Sequence, residues 1–263
     1  MRKALAFLKR DFFIETSYRF NFLLSLAGII FSTAIFYFLG KIVDPSMVAD
    51  EAVDYFSFAL VGMAFAMYLR TGLGSFAEAI REEQMMGTLE AMMATPTTLT
   101  TIILSSSIWR FLFTSVSVVA FLIVGAFFGI SYAGANILAG LIILVLTIVA
   151  YSALGIISAS FIMVFKRGDP INWVVSSLSV LVGGVFFPVA VLPDWLQAVS
   201  RILPITYSLE GMRKALLLGA AFSDLWGDIL GLIIISAVLI PVSLALFRLS
   251  VNHARKIGSL VKY

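Results

Sequence analysis

Long apolar runs separated by short polar interruptions dominate the chain. Runs of spanning length fall at about 20–39, 55–75, 102–129, 137–164, 171–190 and 228–248, each ended by charge or by Gly and Pro. A helix needs ~20 apolar residues to cross the hydrocarbon core of a bilayer. The pattern therefore predicts an all-α polytopic membrane protein of about six transmembrane helices, forming one domain over residues 1–263.

Three stretches between or before the runs have their own patterns. In MRKALAFLKRD and the residues after it, Met1, Leu5, Leu8 and Phe12 share a helical face that Lys3, Arg10, Asp11 and Glu15 avoid. This predicts an N-terminal interfacial helix over 1–19, with a solvated tail as the other reading. The run that follows is as long as a full crossing and lacks a small-residue cleavage site, so it is expected to be a span and not a removed signal peptide.

The second stretch is REEQMMGTLEAMMATP, residues 81–96. Helical spacing holds from Phe76 to Met86, with Glu78 and Glu82 an i, i+4 carboxylate pair on one face. Gly87 interrupts it, Thr88 can cap a short turn through Ala94, and Pro96 disfavours helix at Thr95. Such a surface element, with an acidic face and Met85, Met86, Leu89, Met92 and Met93, suits docking into a partner's groove; a solvated loop fits the spacing equally.

The third is GGVFFPVAVLPDWLQAVSRILPITYSLEGMR, residues 183–213. Pro188, Pro193 and Pro204 divide it, and Trp195, Val199 and Ile202 form one apolar face. A short helix dipping into the outer leaflet is expected, then another from about Ser208 to Leu218 closed by Gly219. Non-helical chain at that depth must be covered by protein or line a wet cavity, so the segment reads as a re-entrant gate or as a surface amphipathic loop.

Composition agrees with the pattern: 61% of residues are hydrophobic and 13% charged, against about half and a quarter in soluble domains. The net charge of +3 is small and the basic residues lie scattered among loops, so no nucleic-acid partner is expected. Their distribution sets orientation. With the N-terminus inside, only Lys41, Arg201, Arg213 and Lys214 of the 18 Lys and Arg lie on the far side. The positive-inside bias predicts both termini in the cytoplasm, with the protein in the inner (plasma) membrane. The acidic loop of Asp44, Asp50, Glu51 and Asp54 is then external.

Candidate chemistry is sparse. The chain has no cysteine, which excludes disulfides and thiolate chemistry, and its single histidine, His253, lies in a basic tail and reads as solvated, since metal sites need several ligands. There is no G-x-x-x-x-G-K-[ST], no G-x-S-x-G and no H-E-x-x-H. The chain is therefore expected not to be an enzyme and to bind no metal or cofactor. Charges within the runs are confined to Arg70 and Arg110 near the inner ends and to Asp169 and Asp228 at span edges, which disfavours a proton- or sodium-coupled carrier. G-x-x-x-G pairs at Gly125/Gly129 and Gly227/Gly231 suggest internal packing more than a dimer seam. The second and fifth runs carry Ser57, Phe58, Phe65, Met67, Trp173, Ser176, Ser177 and Ser179, a mixture that suits an amphiphile, although packing explains it as well.

Two of these strings resemble known sequences. REEQMMGTLEAMMATP resembles the cytoplasmic element of the ATP-binding-cassette type 2 transporter permeases, with its acidic pair, Gly-Thr-Leu-Glu and Thr-Pro. Independently, residues 183–213 resemble that family's segment after the fifth helix, with Phe-Pro, Leu-Pro-x-Trp and Leu-Pro-x-Thr-Tyr steps. Met85, Met86, Met92 and Met93 depart from it, standing where leucines or polar residues are commoner.

The resemblance implies the membrane subunit of an exporter, with a coupling helix between spans 2 and 3 and an extracellular re-entrant segment between spans 5 and 6. It implies that Glu82, Glu83, Gly87, Thr88, Leu89, Glu90 and Pro96 meet the ATPase, and that Phe187, Pro188, Pro193, Trp195, Pro204 and Tyr207 form the outer gate. The implied partners are two nucleotide-binding ATPase subunits, which hold the ATP and Mg, a second permease copy or a similar permease, and membrane lipids. RDFFIETSYRFNFLLSLAG matches the first-span motifs of the family's polysaccharide exporters poorly, so a lipophilic or amphiphilic substrate such as a drug-like compound or lipid is expected ahead of a glycan. A membrane scaffold or intramembrane enzyme without ATP coupling is the alternative from another class.

Overall fold

The computed structural model describes residues 19–43, 53–85, 99–165 and 169–257. Among these residues the chain forms α1 (Arg19–Gly40), α2 (Tyr55–Met85), α3 (Leu99–Phe127), α4 (Ile137–Phe165), α5 (Pro170–Val182), α6 (Asp194–Ser200), α7 (Pro204–Leu216) and α8 (Phe222–Ile257), and no strand. The protein is an all-helical, multi-pass membrane protein. The interfacial helix expected over 1–19 falls almost wholly outside the described residues.

Five of these helices, α1 to α4 and α8, are long and apolar enough to cross a bilayer. The run expected over 171–190 is divided instead. Asp169 caps α5, its carboxylate accepting from the Asn172 amide at 3.0 Å, and Pro170 occupies the first turn. The helix then stops after 13 residues, ~20 Å, because Gly183 and Gly184 (φ +82°) leave helical geometry and Pro188 cannot rejoin it. From Gly183 to Pro193 the chain runs without α-helix, and α6 and α7 follow as two short helices. Pro241 lies inside α8, which continues through it.

The helix at the centre is α2, which packs against α1, α3, α4, α5 and α7. It is the least apolar of the five, yet 72% of its apolar window is buried, against 22% for α8 and 11% for α1. Lipid is as apolar as leucine, so membrane helices associate through close packing and polar contacts, not through hydrophobicity. The α2–α4 crossing shows the first: a Cβ on Gly155 would strike the Gly72 carbonyl, and one on Gly72 would strike the Tyr151 side chain. The second is seen where Thr71 and Thr114 hydroxyls meet at 2.6 Å and Tyr68 donates to Ser115 at 2.9 Å, joining α2 to α3. Thr147 and Ser208 do the same for α4 and α7 at 2.8 Å.

The glycine pairs flagged in the sequence serve internal packing by halves. Gly125 receives Leu60 of α2 and Gly231 receives the Tyr207 ring, while Gly129 (φ +109°) follows the end of α3 and Gly227 faces open space. Large apolar side chains left outside, among them Phe31, Val145 and Val238, form the surface expected to meet lipid.

Candidate functional site

Between α2, α3 and α5 lies an open cavity of about 820 Å³, within the range of small-molecule sites. Its walls follow from antiparallel packing of α2 and α5. Met63, Ala66, Met67, Arg70 and Thr71 recur along one stripe of α2 at helical spacing, and α5 supplies Asn172, Ser176, Ser177, Val180 and Leu181. At one end the lining is polar, with Arg70, Thr71, Asn172 and Ser177. At the other it is apolar, with Met63, Leu181, Phe186 and Phe187. Two contacts fix this direction: a Cβ on Gly74 would approach the Asn172 amide at 3.9 Å, and one on Gly62 would meet the Val185 carbonyl.

Arg70 is exposed within this cavity and makes no ion pair among the described residues. It lies nine residues inside the Ala79 end of the apolar window (79 − 70), or ~13 Å at 1.5 Å per residue. A smaller polar pocket of about 270 Å³ adjoins it, sharing Arg70 and Thr71 and reaching Ser75, Glu78 and Arg110. Glu78 is ion-paired with Arg110, so its charge is already used. The Ser75 hydroxyl is buried without a hydrogen-bond partner among the described residues.

The other end of α2 carries a different arginine. Arg213 of α7 is buried. Its Nε and Nη2 both donate to the Phe58 carbonyl, at 3.2 and 3.0 Å, Nη1 donates to the Gly184 carbonyl at 2.8 Å, and Nη2 also donates to the Val185 carbonyl at 3.0 Å. The guanidinium carbon stands 3.4 Å from the centre of the Phe58 ring, a cation–π contact. Desolvation lowers its pKa to about 9, with the negative charge of Glu210 opposing, so it stays cationic at neutral pH. One side chain thus ties α2, the non-helical segment after α5, and α7.

Hydrogen bonds set the elbow between α6 and α7. The Ser200 and Thr206 hydroxyls meet at 2.8 Å, Thr206 also donates to the Ser200 carbonyl at 2.8 Å, and Tyr207 donates to the Arg201 carbonyl at 3.0 Å. On the next turn Lys214 pairs with Asp228 of α8 at 2.8 Å. Burial, and next the negative charge of Asp228, raise the Glu210 carboxyl above the usual carboxylate range. No three His, Asp or Glu among the described residues gather as a metal site.

The residues singled out from sequence are distributed unevenly over this architecture. Met67, Ser176 and Ser177 line the large cavity, whereas Ser57, Phe58, Phe65 and Ser179 are buried in packing and Trp173 projects outward. Among the gate candidates Phe187 borders the cavity and Pro188 the Arg213 pocket. Pro193 precedes α6, Pro204 begins α7, Tyr207 packs on Gly231 of α8, and Trp195 is exposed. They mark the turns of the segment and do not converge on one cluster. Glu82 and Glu83 fall within the last turn of α2, while Gly87, Thr88, Leu89, Glu90 and Pro96 lie outside the described residues.

Arg213 was readable as more than a loop charge. It continues the stripe of Ile205 and Leu209 at i+4 and i+8, so a helical reading of α7 points it inward. What it would meet there was not readable, because Phe58 is 155 residues away.

A bundle of long apolar helices around a buried central helix, with a two-helix elbow at one end and a cavity open at its side, defines a multi-pass membrane domain. The family model described as ABC-2 type transporter matches residues 4–217, and the chain belongs to that family. It is a permease component, not the ATPase, and the family implies pairing with an ABC ATPase subunit. Comparison with curated proteins returns no match.

Proposed function

We propose that this chain is the membrane subunit of an exporter that moves a lipophilic or amphiphilic substrate outward, driven by ATP hydrolysis on a separate nucleotide-binding subunit. Membership of the ABC-2 family supports the class. The absence of a phosphate-binding G-x-x-x-x-G-K-[ST] from the sequence supports separation of the ATPase. The observation that carries the reading is the cavity of about 820 Å³ along α2 and α5, polar at one end and apolar at the other.

The mechanism runs along one helix. With 31 residues, ~46 Å long, α2 leads from the stretch 81–96 past the cavity to Phe58, where Arg213 fastens it to the outer elbow. A displacement imposed by the ATPase near Glu82, Glu83 and Leu89 would be carried by this rigid element to both the cavity and the elbow, so that loading and outward release become linked. In this reading both termini are cytoplasmic, stretch 81–96 is the coupling helix, and segment 183–213 the outer gate. Two permeases and two ATPases form the working unit, in the inner membrane.

The test uses Glu83→Lys with Leu89→Asp. Both positions fall between the apolar runs expected over 55–75 and 102–129, so insertion should stay intact. Reversing one charge and placing an aspartate in an apolar groove costs a few kcal/mol, roughly a hundredfold in affinity. Co-purification of the ATPase and transport in vesicles should both fail. Normal ATPase binding with normal transport would refute the coupling assignment.

A further inference from the structure

We infer that the α2–α5 cavity binds an amphiphile with one anionic head group, held by Arg70, Asn172 and Ser177, with its tail laid along Ala66, Leu181 and Phe186. This rests on reading the chain as a permease and names its substrate class. The first argument is charge. A cation ~13 Å inside an apolar window is costly to keep, and in a membrane segment it marks a pathway or a ligand counter-ion unless the protein pairs it. The protein pairs Arg110 with Glu78 and Lys214 with Asp228, and it surrounds Arg213 with carbonyls. Arg70 lines the large cavity and, unlike these three, has neither an ion pair nor a carbonyl cage among the described residues.

The second argument is the set of free donors beside it. The Asn172 side-chain amide and the Ser177 hydroxyl line the same end and make no hydrogen bond among the described residues. A planar guanidinium with an amide and a hydroxyl close by can satisfy the oxygens of a carboxylate or phosphate. The third argument is the gradient of lining from these groups to Leu181 and Phe186. A compact anion would leave the apolar part unfilled, and an oil would leave Arg70 unpaired in a membrane. An acidic amphiphile satisfies both ends.

The full-length chain is reconstituted in discs of phosphatidylcholine, a bilayer without net charge, and titrated with 11-dansylaminoundecanoate. Tryptophan-to-dansyl energy transfer reports binding, and Trp173 next to Asn172 is a ready donor. Saturable transfer is expected, displaced by dodecanoate and at least tenfold less well by its methyl ester. Arg70→Gln should weaken the acid about tenfold or more without changing the ester, Arg70→Lys should restore most of it, and Ala66→Phe should weaken both alike.

Equal displacement by acid and ester, or unchanged acid binding in Arg70→Gln, overturns the assignment. So does absence of saturable transfer when a Leu181→Cys variant, the only cysteine in the chain, cross-links to a second copy, since the groove is then a subunit contact. No ATPase is present in this experiment. Failure here therefore leaves ATP-driven export standing, and failure of ATPase co-purification leaves the binding result intact.

Discussion

Two arginines, Arg70 on α2 and Arg213 brought against it from α7, sit in opposite circumstances. Arg213 is buried, with donors directed at three carbonyls and its face on Phe58. Arg70 opens into a cavity and has no ion pair among the described residues. The two residues have identical chemistry, so position decides what each does. Arg213 neutralises an orphan problem: the chain leaves helical geometry at Gly183, and the carbonyls of Gly184 and Val185 need donors that no helix ladder supplies. Lysine could not substitute, because a point charge with three donors cannot fork across three acceptors. Arg70 solves no such problem for the fold, which is why its charge remains available to a ligand.

The largest expected effect breaks the Arg213 side of this contrast. Arg213→Ala strands two buried carbonyls and empties the space over Phe58, which should cost about 3–5 kcal/mol and lower the thermal midpoint of the purified full-length chain. Arg213→Lys should recover only part of it. An unchanged midpoint in the alanine variant would mean that the segment after α5 is held by other contacts.

A smaller effect is expected at Gly62, which clears room for this cluster: an added Cβ would meet the Val185 carbonyl and come within 2.6 Å of the Arg213 guanidinium. Gly62→Ala should destabilise by about 1–3 kcal/mol. Since it perturbs the same contact, its cost should shrink in an Arg213→Ala background, and strict additivity in that double-mutant cycle would separate the two sites.

Arg70 sharpens the comparison from the other side. Arg70→Gln should not lower stability, because it removes an unpaired cation from the apolar window, while acid binding falls as described above. A midpoint drop comparable to that of Arg213→Ala would make Arg70 a structural cation as well.

The smallest effect is a pH dependence at Glu210. Its raised pKa means the folded chain keeps this proton to higher pH than the unfolded chain does. Stability should therefore fall as pH rises from the ordinary carboxylate value through the raised one. Glu210→Gln should flatten that slope in melting curves taken between weakly acidic and neutral pH. An identical slope in both chains would remove Glu210 as its source.

Much of the fold was legible because long apolar runs admit few alternatives. Five of the six expected runs became spanning-length helices, and the two short helices between Pro193 and Gly219 follow the proline punctuation, although the second begins at Pro204 and not near Ser208. The 171–190 run was misjudged in length because apolarity alone does not show where a helix stops; Gly183 and Gly184 stop it. Of the pathway candidates, Met67, Ser176 and Ser177 reach the cavity, while Phe65 and Ser179, equally suitable by type, are buried in packing. Residue type could not separate these groups, since in a membrane both interior and exterior are apolar.

The sequence by itself determined that this is a helical membrane protein and to which family it belongs, because hydropathy and short motifs are local properties. Which helix is central and which charge is free were decided only in three dimensions. Centrality came from Gly72 and Gly155 meeting across 83 residues (155 − 72), and the fate of each arginine from whether a distant segment brought it carbonyls or left it beside an open cavity. Those are matters of distance between parts far apart in the chain, and periodicity within a single helix carries no record of them.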